Sequence, residues 1–417
     1  MAFGLRLAWV LATSEAPVFV ESGDAFSYLY YGRQIAEGGG YLNLDGSGAP
    51  TAYYPVGYPG VLGLVFWLVL HTPIPDDLTL AAGLLHVVLG TGSVALVHVL
   101  VERTTGSDRT ALFAAALLAL WPNAIFHTST VLLETTFTFA SLIPLVVLAT
   151  HRDWRTDPPG AARMAAFGAA LGLVALVRPF ALPFLALPAA LVLVRRHGLA
   201  AAARVTAVAA LPLVVVLVPW TLRNLDAMGA PLPFSTNMGD TLCIDRNDDA
   251  EGGFRWAAHD GCADHRLGEV ARNRDNTAKA VRWVLENPDR EALQIVRRTR
   301  LILGDDHDGL DTVERYGRNP VAGGTGLRRA ADGWFFAALA LAAVGLARGL
   351  LHRSDRRAEL LLLVVAPLGT LLTIAALLWG TSRFHVPTHP YLAALAALAV
   401  FGTAPAERRG GDTTGPV

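Results

Sequence analysis

Ten apolar runs of roughly 16–24 residues, almost free of charge, dominate this chain, and each is long enough to cross a bilayer as a helix. They lie at about 3–20, 79–101, 110–127, 131–150, 162–178, 180–195, 204–221, 331–347, 358–378 and 386–403, with one more apolar run at about 56–72. Backbone groups inside hydrocarbon must find their hydrogen bonds within the segment. A chain with this pattern is therefore expected to be an all-α polytopic membrane protein. Composition agrees: 53% of the 417 residues are hydrophobic and 17% are charged, against about 25% charge in a soluble domain. The net charge of −1 offers no field for nucleic acid.

Orientation follows from the arginines, which favour cytoplasmic loops. Five clusters stand out: Arg103/Arg109, Arg152/Arg155/Arg163, Arg195/Arg196/Arg204, Arg348/Arg353/Arg356/Arg357 and Arg408/Arg409. With a cytoplasmic N-terminus, all five fall inside only if the 56–72 run does not span. That run, rich in Gly and Pro at its start, is then a juxtamembrane helix on the outer surface. The result is ten spans with both ends cytoplasmic. An eleven-span arrangement with an external N-terminus also keeps the basic loops inside, but it places Asp24 in the cytoplasm. The first run contains Arg6 and Glu15 and has no basic flank before it. It reads as a first spanning helix shortened by a late start codon rather than as a cleaved signal peptide.

In the ten-span arrangement, polar residues from distant parts of the sequence meet on the outer side. They come from the 21–78 loop, the His127–Glu134 turn, the Arg178-Pro179 turn, the 222–330 segment and the Arg383–His385 turn. The 222–330 segment is irregular over Gly239–Gly261. It then reads as two short helices, at about 266–286 and 289–303, split by Asn287-Pro288, and it caps the membrane domain. Cys243 and Cys262, the two cysteines, both fall in it. They are too few for a thiolate metal site, and a single loop-closing disulfide fits an oxidising compartment. The expected domains are 1–221 (spans with the first external loop), 222–330 (cap), 331–403 (C-terminal spans) and 404–417 (disordered cytoplasmic tail).

Three groups can carry chemistry. Asp24 and Tyr28 share a helix face at i, i+4. An acid just beyond the first span is costly near lipid and is a candidate general base or cation ligand. Its bland alternative is a solvated loop acid beside an interfacial tyrosine. Glu134, at an outer helix end after Trp121-Pro122-Asn123, needs a partner at that depth: a cation shared with Asp24, or an arginine. Arg178, Arg223 and Arg383 sit at outer helix ends against the positive-inside bias. One alone would be explained by snorkelling, but three suit the oxygens of a phosphate. Asp305-Asp306-His307-Asp308 resembles a metal cluster, but most acidic runs are solvated loops and it is read as one. His385 and His389 flank Pro387 at i, i+4 but lack further metal partners in the sequence. No Walker A loop, dinucleotide fingerprint or H-E-x-x-H motif is present.

Taken in order, these pieces resemble the glycosyltransferase C (GT-C) superfamily, in the branch of the protein O-mannosyltransferases and the lipid A aminoarabinose transferases. The resemblance covers nearly the whole chain. It rests on Gly23-Asp24 with Tyr28, Tyr54-Pro55-Val56-Gly57-Tyr58-Pro59, Glu134, Val177-Arg178-Pro179, Pro219-Trp220-Thr221-Leu222-Arg223-Asn224, Ser235-Thr236-Asn237-Met238-Gly239 and Ser382-Arg383-Phe384-His385-Val386-Pro387. Val56 replaces the usual second proline before Gly-Tyr-Pro, and the first helix is short. The resemblance implies a GT-C-type helix bundle with external juxtamembrane helices. It also implies a polyprenyl-phosphate sugar donor and a lipid, glycan or protein acceptor, at the extracytoplasmic face of the plasma (inner) membrane. Asp24 and Glu134 would be the catalytic carboxylates, Asp24 as the base and Glu134 to orient the acceptor or hold a cation near it. Arg383, Arg223 and Arg178 would hold the donor phosphate, and Tyr28, Tyr54 and His385 would position substrate. No cofactor is implied, and a divalent cation is left open. The competing classes are a flippase or transporter of a lipid-linked anion, a diphosphate-donor glycan ligase or polymerase, and a non-catalytic membrane scaffold. The transporter predicts polar groups deep in broken spans, whereas here they gather at one face.

Overall fold

A computed structural model of the chain describes residues 1–16, 23–73, 77–151, 157–255, 262, 266–317, 320–351, 359, 369, 373 and 378–403. Fifteen α-helices follow one another among them: α1 Ala2–Thr13, α2 Asp24–Ala36, α3 Gly57–Leu70, α4 Leu78–Thr105, α5 Asp108–Ala119, α6 Pro122–Phe126, α7 Glu134–Ala149, α8 Ala161–Val177, α9 Ala181–Met228, α10 Met238–Ile244, α11 Glu269–Glu286, α12 Pro288–Ile302, α13 Asp308–Gly317, α14 Gly324–Leu351 and α15 His389–Phe401. A 3-10 turn, Ser382–Thr388, leads into α15. The only β pairings among the described residues are two isolated bridges, Leu42 with Pro50 and Gly253 with Gly380.

Among the described residues, four helical elements are long and apolar enough to cross a membrane: Leu78–Thr105, Ala181–Met228, Gly324–Gly349 and the continuous Ser382–Phe401 unit. Shorter apolar helices α1, α3, α7 and α8 pack among them. The protein is an integral, multi-pass membrane protein. The expected span at 358–378 falls almost wholly outside the described residues, as do Arg152, Arg155, Arg353, Arg356, Arg357 and the tail with Arg408 and Arg409.

One expectation about the spans changes. The run at 110–127 is not one straight helix. It bends by 59° between α5 and Pro122–Ser129, because Trp121 takes the extended backbone that a following proline favours. The runs at 180–195 and 204–221 form two helices, as expected; they are parted at Gly198, whose φ of 79° is open to glycine at no steric cost. By contrast, the 56–72 run forms the 14-residue α3. At 1.5 Å per residue this is about 21 Å, short of the ~30 Å hydrocarbon core, as are α1, α7 and α8. It packs on α2 while Leu64, Trp67 and Leu68 stay exposed.

The bundle has close helix contacts made by small residues. α8 runs along α9, and α14 runs along α15, which also meets α5. A Cβ at Gly168 would fall 1.9 Å from the Ala209 carbonyl oxygen, and one at Gly345 would fall 1.8 Å from that of Leu395. Such approach is how apolar helices gain packing where lipid offers no hydrophobic gradient.

The cap is built from α10 to α12. The expected split at Asn287-Pro288 is found, with Pro288 at the first position of α12, where its missing N–H costs nothing. Glu269 at the start of α11 accepts from the Thr51 hydroxyl (2.7 Å), the Ala52 N–H (2.9 Å) and the Thr236 hydroxyl (2.5 Å), which ties the 41–56 loop to the cap. Inside the cap, buried Arg298 pairs with Asp245 and Glu291. Cys243 and Cys262 are joined in a disulfide. The cap also meets the C-terminal segment, where the Gly380 N–H donates to the Gly252 carbonyl at 2.6 Å.

Gly168→Ala is expected to push α8 from α9 and to cost about 1–3 kcal/mol, the usual range for overpacking. Thermal unfolding of the purified protein in detergent checks this; an unchanged melting temperature would mean that the two backbones are not in contact there.

Candidate active site

Four charged side chains, brought from four elements, meet at one end of the bundle. Asp24 opens α2 and Glu134 opens α7, so both carboxylates sit in a first turn, where the helix dipole favours negative charge. Arg178 caps the C-terminus of α8, which ends because Pro179 follows. Arg383 lies in the 3-10 turn before α15. Arg383 Nη2 donates to Asp24 Oδ2 at 2.6 Å, and Arg178 Nη2 donates to Glu134 Oε1 at 2.6 Å. Arg383 Nε lies 3.0 Å from the same Glu134 oxygen, without hydrogen-bond alignment. The result is an alternating chain of charge, Asp24–Arg383–Glu134–Arg178.

Aromatic groups frame it. The Tyr54 hydroxyl donates to Asp24 Oδ1 at 2.7 Å. Tyr28 packs edge-on against Tyr54 and Tyr58, with ring centroids 5.1 Å away in each case. The Arg178 guanidinium lies over Phe137, Phe180 and Phe384 at 5.3–5.4 Å, within cation–π range. Burial by itself would raise the Asp24 carboxyl; the Arg383 charge and the Tyr54 hydrogen bond outweigh it and hold the group below the usual carboxylate range. Burial, reinforced by the Asp24 charge, pushes the Tyr28 and Tyr54 phenols well up, so both remain hydrogen-bond donors.

These groups face a cavity of about 210 Å³. Asp24, Tyr28, Tyr54, Arg178 and Arg383 line one side of it, and Asn237, Met238 and Phe254 of the cap, with Trp379, line the other. Arg178 Nη1 is a buried donor with no partner, as an anion site requires.

Not every expected site residue is there. Glu134 is fully buried and does not line the cavity; it stands behind both arginines. Its partners are arginines: Arg178, and Arg383, which it shares with Asp24. Arg223 lies elsewhere. Its Nη1 donates to the Thr51 carbonyl (2.6 Å) and its Nη2 to that of Tyr41 (2.7 Å), and it stacks on Trp220, so it fastens the 41–56 loop. His385 is also outside the cavity: it stacks on Phe335, and its ring nitrogens meet the Ile302 carbonyl and Asp306. Conversely, the cavity includes Tyr53, Asn237 and Trp379, which were not singled out. The motif Ser235-Thr236-Asn237-Met238-Gly239 was the available signal for Asn237. Trp379 had only its place just before the Arg383 motif.

With this geometry in hand, comparisons with known proteins can be placed. A family profile for dolichyl-phosphate-mannose-protein mannosyltransferases matches residues 64–226. A sequence comparison with curated proteins finds no match. Among solved structures, the Archaeoglobus fulgidus oligosaccharyltransferase tethered with an acceptor peptide is similar over 95% of this chain and 48% of its own, with 13% identity and a TM-score of 0.56. The same archaeal enzyme, AglB, in complex with an inhibitory peptide and a dolichol-phosphate, is similar over 95% and 49%, with 13% identity and a TM-score of 0.53. ArnT from Cupriavidus metallidurans, bound to undecaprenyl phosphate, aligns over 95% and 58% with 14% identity and a TM-score of 0.49. The chain spans about half the length of these structures. Its fold is of the GT-C type, as the order of its motifs leads one to expect.

Two outcomes follow from the charge chain. Glu134→Gln leaves Arg178 buried without a counter-charge and is expected to cost about 3–5 kcal/mol, measured by thermal unfolding. Because the folded Asp24 carboxyl lies below its unfolded value of ~3.9, its stabilisation is present above that pH and is lost as pH falls through the folded value. The melting-temperature gap between wild type and Asp24→Asn should therefore hold from pH 7 to 5 and narrow below about pH 4. A gap that instead closed between pH 7 and 5 would mean that Asp24 is not held by Arg383.

Proposed function

We propose that this protein is an inverting glycosyltransferase that moves a sugar from a polyprenyl-phosphate donor to a lipid, glycan or protein acceptor at the extracytoplasmic face of the plasma membrane. The observation that carries the reading is one cavity lined by both a carboxylate, Asp24, and two guanidinium groups, Arg178 and Arg383. The match of residues 64–226 to the dolichyl-phosphate-mannose-protein mannosyltransferase profile and the fold shared with an enzyme in complex with a dolichol-phosphate support it.

The chemistry follows from the charges. A polyprenyl monophosphate sugar has an apolar tail for the bilayer, a phosphodiester at the interface and a sugar above it. Arg178 and Arg383 meet the phosphodiester and stabilise the second negative charge that grows as the anomeric carbon–oxygen bond breaks. The acceptor hydroxyl oxygen attacks the anomeric carbon from the opposite side, and its proton passes to Asp24. The polyprenyl phosphate departs with the bonding electron pair, and no covalent enzyme intermediate is required. Without donor, Arg383 makes Asp24 a weak base. An arriving phosphate adds negative charge beside the carboxylate and shares the guanidinium, which moves the Asp24 pKa upward. Donor binding thus readies the base. Glu134 does not touch the substrate; it keeps the two arginines charged and in place.

Asp24→Asn should lower transfer by at least about 10²-fold, the scale of a lost general base, in protein that still inserts and folds. The assay is purified protein in liposomes with several polyprenyl-phosphate sugars, reading acceptor modification. Undiminished transfer by the variant would remove Asp24 from the chemistry. Arg383→Ala should weaken donor binding, and unchanged donor affinity would remove Arg383 from the phosphate site.

A further inference from the structure

Away from the cavity, the turn that follows α12 meets the start of the last span. Asp306, His385 and His389 are each at most 1% exposed, and one ligand atom from each lies within 4.8 Å of the others. His385 Nε2 is 2.9 Å from Asp306 Oδ1, and His389 Nε2 is 3.0 Å from that same oxygen. Two ligands bound at 2.0–2.1 Å to a tetrahedral zinc are separated by about 3.3 Å. The observed contacts come within a few tenths of an ångström of that edge.

Hydrogen bonding around the cluster shows what it lacks. His385 Nδ1 is 2.5 Å from the Ile302 carbonyl, which can only accept, so that nitrogen carries the proton. In the neutral ring Nε2 is then a lone pair, and it faces a carboxylate oxygen. Two acceptors at 2.9 Å repel unless something positive lies between them. His389 is the second, independent sign. It stacks on Trp121 with ring centroids 4.3 Å apart; its Nδ1 has no hydrogen-bond partner, and its Nε2 meets only Asp306 Oδ1, without hydrogen-bond alignment. A buried imidazole so poorly matched is costly. The outer contacts are those of metal ligands: a histidine N–H to a backbone carbonyl, and a carboxylate held by further donors. Here the Trp121 Nε1–H donates to Asp306 Oδ2 and the Asn123 amide donates to Asp306 Oδ1, each at 2.7 Å.

We propose that Asp306, His385 and His389 bind one divalent first-row metal ion, of which zinc best fits the two imidazoles and one carboxylate. The ion clasps three separate segments: the Asp305–Asp308 turn, the Trp121–Asn123 bend through its hydrogen bonds to Asp306, and the segment that begins with Arg383. Its role is to fix the place of Arg383, two residues before His385, rather than to act on the substrate. This assignment does not depend on the glycosyltransferase reading, because its test measures bound metal.

The test uses full-length protein purified in detergent with a histidine-free tag. Metal content by plasma mass spectrometry should be about one zinc per chain. After stripping with a chelator, the melting temperature should fall and be restored by added zinc. Added cobalt(II) should give the visible absorption of a tetrahedral site. His389→Gln and Asp306→Asn should lose the bound metal and the cobalt spectrum. Asn123→Ala, which removes an outer hydrogen bond to Asp306 Oδ1, should weaken metal affinity by about 10–100-fold. Wild-type protein that holds no zinc as purified and binds neither zinc nor cobalt after stripping would overturn the proposal and leave a histidine–aspartate ion pair. Retention of the metal by both His389→Gln and Asp306→Asn would overturn it too, by placing the ion elsewhere. The wild-type measurements decide the matter even if a variant fails to fold.

Discussion

Two carboxylates and two guanidinium groups can share a buried space only if the charges alternate, and this site depends on that constraint. A lone ion in such surroundings would cost several kcal/mol. In the order Asp24–Arg383–Glu134–Arg178 each charge has an opposite neighbour, and the four elements that contribute them are held in register as a result. Glu134 is the hinge of this scheme. It is closed off from the cavity, and it lets two cations stand side by side where an anionic ligand can meet both.

The cap completes the site and also wires it. Glu269 ties the 41–56 loop, which carries Tyr54, to α11. Arg223 fixes the same loop from α9. Tyr54 in turn holds one oxygen of Asp24 while Arg383 holds the other. The carboxylate is therefore oriented by groups whose own positions are set by the cap and by the bundle together. Such preorganisation is what a polar group needs if it is to meet a reacting atom without further rearrangement.

Much of this was legible in the sequence because the solvent itself imposes the pattern. Apolar runs located most helices, and Asn287-Pro288 located the joint between α11 and α12. The Trp121-Pro122 bend was overlooked, since an apolar run looks unbroken by composition and only the backbone preference before proline reveals the break. Arg178, Arg223 and Arg383 look alike in sequence, each near a helix end. What separates them is whether carbonyl oxygens consume their donors, as at Arg223, or leave them to a cavity, as at Arg178 and Arg383, and no local pattern encodes that. The third partner of His385 and His389 was hidden for a similar reason. Asp306 precedes His385 by 79 positions, in a turn whose acidic composition suggests exposure, and burial there comes from the packing of the cap.

The bridge between Gly253 and Gly380 has a mechanical meaning. It joins the cap's main chain to the strip of backbone that leads, three residues later, to Arg383, and Phe254 leans on Trp379 alongside it. Lifting the cap would draw the guanidinium away from Asp24. By reciprocity, an anion that captures the guanidinium must change how firmly the cap is seated. Capture of an anion by Arg383 and the seating of the cap over the cavity are then two readings of a single lever.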